Sequence, residues 1–316
     1  MICKVAILDS GINRYFEDKV TEVYSIYGSN HHDDNGHGTK CLSLIERLAP
    51  NTEFIIYKIL DSNLQCSVKH LCTALTKLLD IDVDIINLSL TMCNKEKSYI
   101  VNEICQQLWS QGKIILSSKA NRGNFSYPAE SDFVIGVDGN QFRNDTDFWF
   151  KLNGPINCIA SRTPSIVSLG NDKYSFFSGN SKATACMTGI LSKNIDKLYG
   201  LDMERKKECI YHLANQNEWN KNEVSADIFK PEKDDFLIDY EVMRFVISLL
   251  RQYGYQGGEY LYECFDAKKI IEIVKKIVDE YKFGFYDYEF NLYDFFNEKS
   301  LCSKICNLIY CNKQRR

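Results

Sequence analysis

The stretch VAILDSG, residues 5–11, is the part of the sequence that decides the fold. Its first four residues are apolar and two of them are β-branched, which predicts a short buried strand. Asp9 follows this run at once. Open α/β sheets place their sites at the carboxyl ends of parallel strands, so Asp9 is a candidate site residue. A turn residue or a helix cap is the alternative interpretation of the same aspartate.

Strand-like and helix-like segments alternate along the first two-thirds of the chain. Apolar runs that predict strands lie at residues 4–8, 53–60, 84–90, 113–117, 132–137, 145–152, 157–162 and 173–177. Amphipathic stretches that predict helices lie at residues 39–48, 67–80, 99–111 and 181–197. Buried strands joined by crossover helices indicate a parallel sheet covered on both faces. Residues 1–198 are therefore predicted to form one three-layer α/β domain with a mainly parallel sheet.

Residues 202–316 have a different character. Helices are predicted at residues 202–215, 239–253 and 266–282, separated by loops that contain Asn, Pro, Gly and acidic residues. Nine of the sixteen residues in the segment 281–296 are Tyr or Phe. Aromatic side chains are most often buried in protein cores, so we interpret this segment as the core of a smaller, mostly helical C-terminal domain. A contact surface for a partner is the alternative.

The overall composition argues against several classes of protein. The 38 basic and 42 acidic residues give a net charge of −4, and this lack of a basic excess argues against a nucleic-acid binder or a binder of anionic membranes. No run of about 18 apolar residues is present, so no transmembrane helix is expected. The first apolar run is too short for a secretory signal, and we therefore expect a cytoplasmic location.

The cysteines point in the same direction. Thirteen cysteines are an odd number, and their spacings do not repeat as in a small disulfide scaffold, so we expect reduced thiols. Cys302, Cys306 and Cys311 form the tightest cluster, but no histidine or fourth cysteine lies close in sequence to complete a metal site. We interpret Cys302 and Cys306, four residues apart, as sharing a buried helix face. No metal site is expected.

Two further motifs carry reactive side chains. Gly36-His37-Gly38-Thr39 opens a predicted helix, and its glycines leave the imidazole accessible; a capped loop histidine is the alternative. Ser181 begins an apolar helix within SGNSKATA, residues 178–185. It is either a helix cap or a nucleophile at the positive end of a helix dipole. Aspartate, then histidine, then serine is one of the known chain orders of a Ser-His-Asp triad.

Together these motifs resemble those of the subtilisin-like serine peptidases. VAILDSGI (residues 5–12), GHGT (36–39) and SGNSKATA (178–185) resemble the family's aspartate, histidine and serine motifs. IINLSL (85–90) resembles its substrate-binding strand, and SKANRG (118–123) with YPA (127–129) resembles its oxyanion-asparagine region. The resemblance covers residues 1–198 and does not extend to residues 202–316.

The resemblance implies a serine endopeptidase that needs no cofactor and no metal. It makes Ser181 the nucleophile, His37 the general base, and Asp9 the group that orients and stabilises the imidazole. It makes the Asn121 amide, with the backbone N–H of Ser181, the donor pair for the oxyanion. The residues that it implies for substrate binding are Ser89, Leu90, Thr91, Ser118, Ala120 and Arg122.

The chain also departs from the family's pattern. Lys182 stands where the family usually has Met, which puts a charge next to the nucleophile in sequence. Thr91 stands where the family commonly has Gly, so we expect a narrower pocket edge. Only three residues separate Gly123 from Tyr127, which predicts a short specificity-pocket loop. No propeptide precedes the first strand in this sequence, so we expect an intracellular member made in its active form.

Arg122 supports a hypothesis about specificity. It follows the oxyanion asparagine, at a position that resembles the rim of the pocket for the P1 side chain, and Lys119 lies close in sequence. We expect two cations there to favour an acidic or hydrogen-bond-accepting P1 side chain modestly and to disfavour Lys or Arg. In the alternative interpretation, Arg122 points to solvent or pairs with an acid such as Glu130.

The C-terminal region resembles an acyl- or peptidyl-carrier protein in two short stretches, DDFLIDYE (residues 234–241) and FDA (265–267). In that family a serine after the aspartate receives phosphopantetheine. Tyr240 stands at this position, so the alignment excludes a thioester carrier role. A degenerate module of this kind is expected to bind a protein partner, and an unrelated helical appendage is the alternative.

The sequence thus predicts a cytoplasmic serine endopeptidase with a restricted substrate, such as a precursor (leader) peptide. The alternatives are a general intracellular protein-degrading subtilisin and a catalytically silent peptide-binding pseudo-protease. A peptide or protein is the expected substrate, whereas nucleic acid and membranes are not expected partners.

Overall fold

The computed structural model describes residues 1–28, 31–92, 98–121, 125–224, 238–257, 260–284 and 289–315. Strands in these residues are β1 (Cys3–Asp9), β2 (Val20–Ser25), β3 (Thr52–Lys58), β4 (Ile85–Leu88), β5 (Ile114–Ser118), β6 (Ile135–Asn140), β7 (Phe148–Phe150), β8 (Cys158–Ser161), β9 (Ser165–Gly170) and β10 (Lys173–Phe177). Helices are α1 (His37–Leu48), α2 (Val68–Lys77), α3 (Ser98–Ser110), α4 (Asn180–Lys193), α5 (Ile195–Leu198), α6 (Met203–Leu213), α7 (Lys221–Val224), α8 (Tyr240–Gln252), α9 (Leu261–Cys264), α10 (Ala267–Tyr281) and α11 (Glu298–Arg315).

Within the described residues, eight of the strands form one sheet with the order β2-β3-β1-β4-β5-β6-β8-β7. The pairs from β2 to β8 are parallel, and β7 pairs with β8 in the antiparallel sense. The strand β1 has β3 on one side and β4 on the other. The strand order therefore reverses at β1, because β2 and β3 lie on one side of it and the later strands lie on the other. Such a reversal creates a crevice at the carboxyl end of the strand. The predicted mainly parallel α/β sheet is confirmed.

Helices cover both faces of this sheet. On one face, α2 and α3 bury Leu71, Leu75 and Leu108 against side chains of the central strands, among them Leu8 and Ile86. On the other face, α1 packs along α4, and α4 lies across β4, β5, β6 and β8. The strands are buried on both sides, which explains why they read as continuous apolar runs.

Two strands escaped the sequence analysis. The strand β2 is an edge strand, and three of its six residues are exposed. The strand β9 pairs only with β10 in a two-stranded sheet. The edge strand β2 needs no unbroken apolar run. In β9 five of the six residues are buried, but Ser165 and Ser168 interrupt the apolar residues, so neither strand shows the periodicity that identifies a buried strand.

By its contacts the chain divides into two compact units. The first comprises Met1–Arg162, Ser168–Lys173 and Ser178–Asp227, and the second comprises Thr163–Val167, Tyr174–Phe177 and Ile228–Arg316. This division keeps α6 and α7 with the first unit, whereas the sequence analysis separated residues 1–198 from residues 202–316; the predicted boundary remains a prediction. In the described part of the chain, no helix combines the length and apolar character needed to cross a bilayer.

The second unit is built on the packing of α8, α10 and α11. Its fully buried side chains include Val246, Ile273 and Leu301. Phe290 and Phe295, which belong to the aromatic segment 281–296, are also completely buried. The interpretation of this segment as core is therefore confirmed for its described phenylalanines, whereas Tyr281 and Tyr293 are partly exposed; residues 285–288 lie outside the described residues.

The cysteines of α11 follow the helical spacing. Cys302 is fully buried, and Cys306 packs against the same core one turn later. Their predicted common face is confirmed. The stretch DDFLIDYE lies partly outside the described residues, and its Tyr240 is 76% exposed at the start of α8. The carrier-like resemblance stays a prediction.

Candidate active site

The predicted site residues of the first unit meet at one edge of the sheet. Asp9 ends β1, Ser89 follows β4, and Ser118 ends β5, so three neighbouring strands present their carboxyl ends together. His37 begins α1, and Ser181 lies in the first turn of α4. Two helix starts and three strand ends therefore surround one cleft, as expected for an open α/β sheet.

This cleft has a volume of about 890 Å³. Its lining includes eight of the predicted site residues: His37, Ser89, Leu90, Thr91, Ser118, Ala120, Asn121 and Ser181. Asp9 is 1% exposed and lies behind the histidine. Arg122 lies outside the described residues, so its predicted place at the pocket rim stays a prediction.

Asp9 and His37 form a short hydrogen-bonded pair. The Nδ1 atom of His37 lies 2.8 Å from Oδ1 and 3.0 Å from Oδ2 of Asp9. A carboxylate accepts hydrogen bonds, so this contact assigns the proton to Nδ1 and leaves Nε2 as the basic nitrogen. The backbone N–H of Ser10 also donates to Asp9 Oδ1 at 2.7 Å, which fixes the carboxylate.

The environment of His37 tunes its basicity. Burial by itself lowers the pKa of the imidazole, because it disfavours the charged form. The negative charge of Asp9 and its hydrogen bond act in the opposite direction, and Asp33 adds to them, while Lys40 opposes them. The net result is a pKa above the usual value of 6.5. His37 is thus a stronger base than a histidine in water.

Asp33 holds the start of α1 in place. Its Oδ2 accepts hydrogen bonds from the backbone N–H and the hydroxyl of Thr39, and its Oδ1 accepts from Gly36 N–H and Ser10 Oγ. The sequence analysis missed this residue, because its partners lie on two separate segments. Its place four residues before His37, at the start of a predicted helix, was the available signal.

Gly38 permits the close approach of α1 to the end of β1. A Cβ atom at this position would lie 2.2 Å from the carbonyl oxygen of Gly11 and 3.2 Å from the Cβ of Asp9. The missing side chain therefore allows His37 to reach the Asp9 carboxylate. The glycine that follows the histidine has a steric role as well as leaving the imidazole accessible.

Ser181 occupies the second position of α4. The residue before the helix, Gly179, has a positive φ of 84°, a conformation that a glycine adopts at no steric cost. The hydroxyl of Ser181 donates to the carbonyl of Ser89 at 3.3 Å, and the hydroxyl of Ser89 donates back to the Ser181 carbonyl. Backbone N–H groups in the first turn of a helix have no partner within the helix, so the Ser181 N–H is suited to bind an anion.

Asn121 is exposed at the cleft and oriented by α4. Its Oδ1 accepts the backbone N–H of Asn180 at 3.2 Å. Because the amide oxygen is engaged with the protein, the Nδ2 group is the donor that can serve a ligand. An amide donor and a helix N–H near one hydroxyl match the requirements of an oxyanion hole.

Lys182 does not bring its charge to the cleft. Its side chain is 0% exposed, and Nζ lies 2.5 Å from Oδ1 of Asp145. Lys182 is therefore next to Ser181 in sequence only, because the helix directs the lysine side chain into the interior. Lys119 lines the cleft, and its Nζ lies 2.6 Å from Oδ2 of Asp138, which compensates its charge.

Additional apolar residues line the cleft that sequence reasoning had not selected: Leu60, Leu64, Val68, Leu71 and Met92. They come from the loop after β3, the start of α2 and the segment after β4. Leu60 lies in a predicted strand, and Val68 and Leu71 lie in a predicted helix. These local patterns do not indicate which apolar residues share one wall of a cleft, because the fold brings them together over long distances in sequence.

Asp9, His37 and Cys41 are the one group in the described part of the chain whose ligand atoms are close enough for a metal ion. Cys41 is fully buried, and its Sγ lies 3.7 Å from Oδ2 of Asp9. Burial and the charge of Asp9 raise the pKa of the thiol well above its usual value. Metals bind the thiolate, so this group is better suited to the orientation of His37 by the Asp9 carboxylate than to metal binding.

Comparisons with known proteins agree with this geometry. The sequence model described as Subtilase family matches residues 3–228. The chain is 27% identical to the minor extracellular protease Epr of Bacillus subtilis, over 60% of this chain and 32% of the relative. It is 22% identical to the thermophilic serine proteinase of a Bacillus species, over 59% of this chain and 50% of the relative.

A third relative is covered more fully. The chain is 24% identical to the intracellular serine protease of Paenibacillus polymyxa, over 64% of this chain and 69% of the relative. The chain spans a third to a half of the length of the first two relatives. All three relatives are named as proteases.

Proposed function

The chain belongs to the subtilase family, and from that premise we propose that it is a serine endopeptidase that uses Ser181, His37 and Asp9 as its triad. The observation that carries the proposal is the contact of Asp9 with Nδ1 of His37 at the end of β1, in the cleft that Ser181 also lines. This contact leaves Nε2 of His37 as the base.

The proposed reaction begins with attack of Ser181 Oγ on the scissile carbonyl carbon, while Nε2 of His37 takes the hydroxyl proton. The carbonyl oxygen becomes an oxyanion, which Asn121 Nδ2 and the Ser181 N–H stabilise. The carbon–nitrogen bond then breaks, and the imidazolium gives its proton to the leaving amine. Water hydrolyses the resulting ester by the same steps, and Asp9 stabilises the imidazolium each time.

We further propose a restricted substrate, such as a precursor (leader) peptide. Thr91 lines the cleft where the family commonly has Gly, and its hydroxyl lies within 3.4 Å of the carbonyl of Tyr127. The backbone N–H of Met92 donates to the same carbonyl at 2.6 Å. These bonds hold the substrate-binding segment against its neighbour, which supports a narrow pocket. The segment with residues 202–316 is proposed to bind a protein partner.

A fluorophosphonate probe tests the enzyme class. We expect the probe to label the native protein and to leave the Ser181→Ala variant unlabelled. Equal labelling of both proteins would mean a different nucleophile, and no labelling of the native protein would favour a pseudo-protease. A peptide-library profile then distinguishes a peptidase with a restricted substrate from a general protein-degrading subtilisin, because the general enzyme cleaves many sequences.

The specificity hypothesis for Arg122 is tested with one peptide frame that carries Glu, Leu or Lys at P1. Lys119 is already paired with Asp138, so Arg122 is the cation on which the preference depends. We expect the Arg122→Glu variant to lower the ratio of Glu to Lys cleavage several-fold, since an exposed pair contributes about 0.2–1 kcal/mol. An unchanged ratio would remove Arg122 from the specificity site.

We propose a reducing compartment such as the cytoplasm for the working protein. All twelve cysteines within the described residues are free thiols, and six are buried. Burial raises the pKa of Cys3 and Cys105 to about 12, so these thiols are unreactive in the folded state. Alkylation under denaturing, non-reducing conditions followed by intact-mass analysis should count 13 free thiols, the full number in the sequence. Several stable disulfides would contradict the proposal.

A further inference from the structure

One buried carboxylate joins the two helices that carry the proposed base and nucleophile. Asp145 is 1% exposed, and its Oδ2 lies 2.5 Å from Nη2 of Arg47, near the end of α1. Its Oδ1 lies 2.5 Å from Nζ of Lys182, in the first turn of α4. His37 begins α1, and Ser181 directly precedes Lys182. A single side chain thus connects both halves of the proposed reaction centre.

A residue of the central sheet also binds both Asp145 and Lys182. Ser161, at the end of β8, is completely buried, and its hydroxyl donates to Asp145 Oδ1 at 3.2 Å. Nζ of Lys182 donates to Oγ and the carbonyl oxygen of Ser161 at 3.2 and 3.4 Å. Three elements, α1, α4 and β8, therefore hold the carboxylate, and we call Arg47, Asp145, Ser161 and Lys182 the charged clamp.

Stability alone does not account for this arrangement. Removing charged groups from water is unfavourable, and replacement of a buried ion pair by apolar side chains of similar volume is often neutral or stabilising. An apolar side chain at residue 182 would fill the same space without a buried charge. Ion pairs differ from apolar contacts in their directionality, because short charged hydrogen bonds hold two groups at one distance and angle.

We propose that the charged clamp fixes the spacing of α1 and α4 and thereby positions the Ser181 hydroxyl for proton transfer to His37. This inference rests on the proposed function. Arg47, Asp145 and Lys182 are positioning residues, since none of them lines the cleft. Proton transfer requires heavy atoms at hydrogen-bond distance, and a displacement of about 1 Å reduces a rate by about 10²-fold.

The test compares the native enzyme with the Lys182→Met and Asp145→Asn variants and with their double variant. Each is assayed for kcat, KM and the rate of fluorophosphonate labelling, at a temperature where circular dichroism shows it folded. We expect Lys182→Met to lower kcat and the labelling rate about 10- to 100-fold with little change in KM. The double variant should be hardly slower than the slower single variant, because both changes break one connection.

A matched control is available in the same unit. Lys113 is 8% exposed, and its Nζ binds the carbonyl oxygens of Leu78, Leu79 and Ile81 at the end of α2. The Lys113→Met variant removes a buried ammonium group without touching α1 or α4. It should lower the melting temperature and leave kcat unchanged. Lys182→Arg, which keeps the charge, should recover most of the activity that Lys182→Met loses.

Asp145→Glu keeps the test decisive if Lys182→Met does not fold. It preserves the charge and adds one methylene, so the clamp stays ionic while the spacing changes, and kcat should fall. Unchanged kcat in folded Lys182→Met or Asp145→Glu would overturn the clamp while native labelling of Ser181 keeps the proposed function. A native protein that the probe does not label would overturn both.

Discussion

The two units of this chain bury different kinds of side chain. The interior of the first contains charged and amide groups in hydrogen-bond networks, among them Asp9, Asp33, Asn87 and Lys182. The described interior of the second is almost wholly apolar, with Phe290 and Phe295 at its centre. Of its residues that are both described and buried, the polar ones are Thr163, Ser165 and Asn291.

The difference indicates that the buried groups of the two units have different roles. Buried polar groups are unfavourable unless they are fully paired, so their concentration in the first unit indicates a site that needs fixed dipoles and charges. Apolar and aromatic burial stabilises a fold without orienting a reactive group. We therefore expect substitutions in the polar networks around the cleft of the first unit to affect chemistry, and substitutions in the apolar core of the second unit to affect stability.

The largest effect is expected for Ser181→Ala. Loss of the proposed nucleophile should reduce kcat by about 10⁶-fold, because triad members act as a unit. Thermal unfolding should change little, since the side chain is small and partly exposed. The measurement is peptide hydrolysis, with the exposed Ser110→Ala variant as the control. Activity of Ser181→Ala within tenfold of native would contradict the assigned nucleophile.

The next effect concerns the second unit. Phe290→Ala should destabilise the protein by about 3–5 kcal/mol, because it leaves a cavity in an aromatic core. The fluorophosphonate labelling rate of Ser181, measured at a temperature where the variant is folded, should remain native. Tyr240→Ala, at an exposed position, is the control for stability. A large loss of labelling in folded Phe290→Ala would contradict the expectation that the core of the second unit affects stability alone.

Asn121→Ala should lower kcat about 10²–10³-fold with a small change in KM, since the oxyanion forms only in the transition state. The residue is exposed, so the free energy of unfolding should stay close to native. Steady-state kinetics separates the two constants, and Asn51→Ala, an exposed asparagine away from the cleft, is the matched control. A rise in KM of this size with an unchanged kcat would instead assign Asn121 to binding of the ground state.

The smallest effect is a shift of pH dependence. His37 must be neutral to accept the Ser181 proton, so kcat/KM should rise with pH, with a midpoint above 6.5. Asp33 raises this pKa and Lys40 lowers it, so Asp33→Asn should move the midpoint down and Lys40→Gln should move it up. Shifts in the same direction would refute this electrostatic account.

The same raised pKa links His37 to stability. A group whose pKa is higher in the folded state stabilises that state at low pH. The contribution of His37 is fully present below its unfolded pKa, and it is lost as the pH rises through the folded value. Stability of His37→Gln should therefore differ most from native on the acidic side of neutrality.

The sequence by itself determined the order of the strands along the chain and the identity of the candidate triad. Buried parallel strands require unbroken apolar runs, so residues 4–8 and 84–90 were recognisable, and a polar residue directly after such a run marks the sheet edge. The glycines around His37 and before Ser181 were equally visible, because close approach and positive φ require that residue type.

Only the tertiary structure decided what surrounds these groups. The direction of Lys182, the pairing of Lys119 with Asp138, and the hydrogen bonds of Asp33 join residues that are distant in sequence or follow no periodic pattern. Arg47 and Asp145 lie 98 positions apart, and only the fold brings them into contact. Local sequence determines which groups can react, whereas the geometry that lets them react depends on long-range packing.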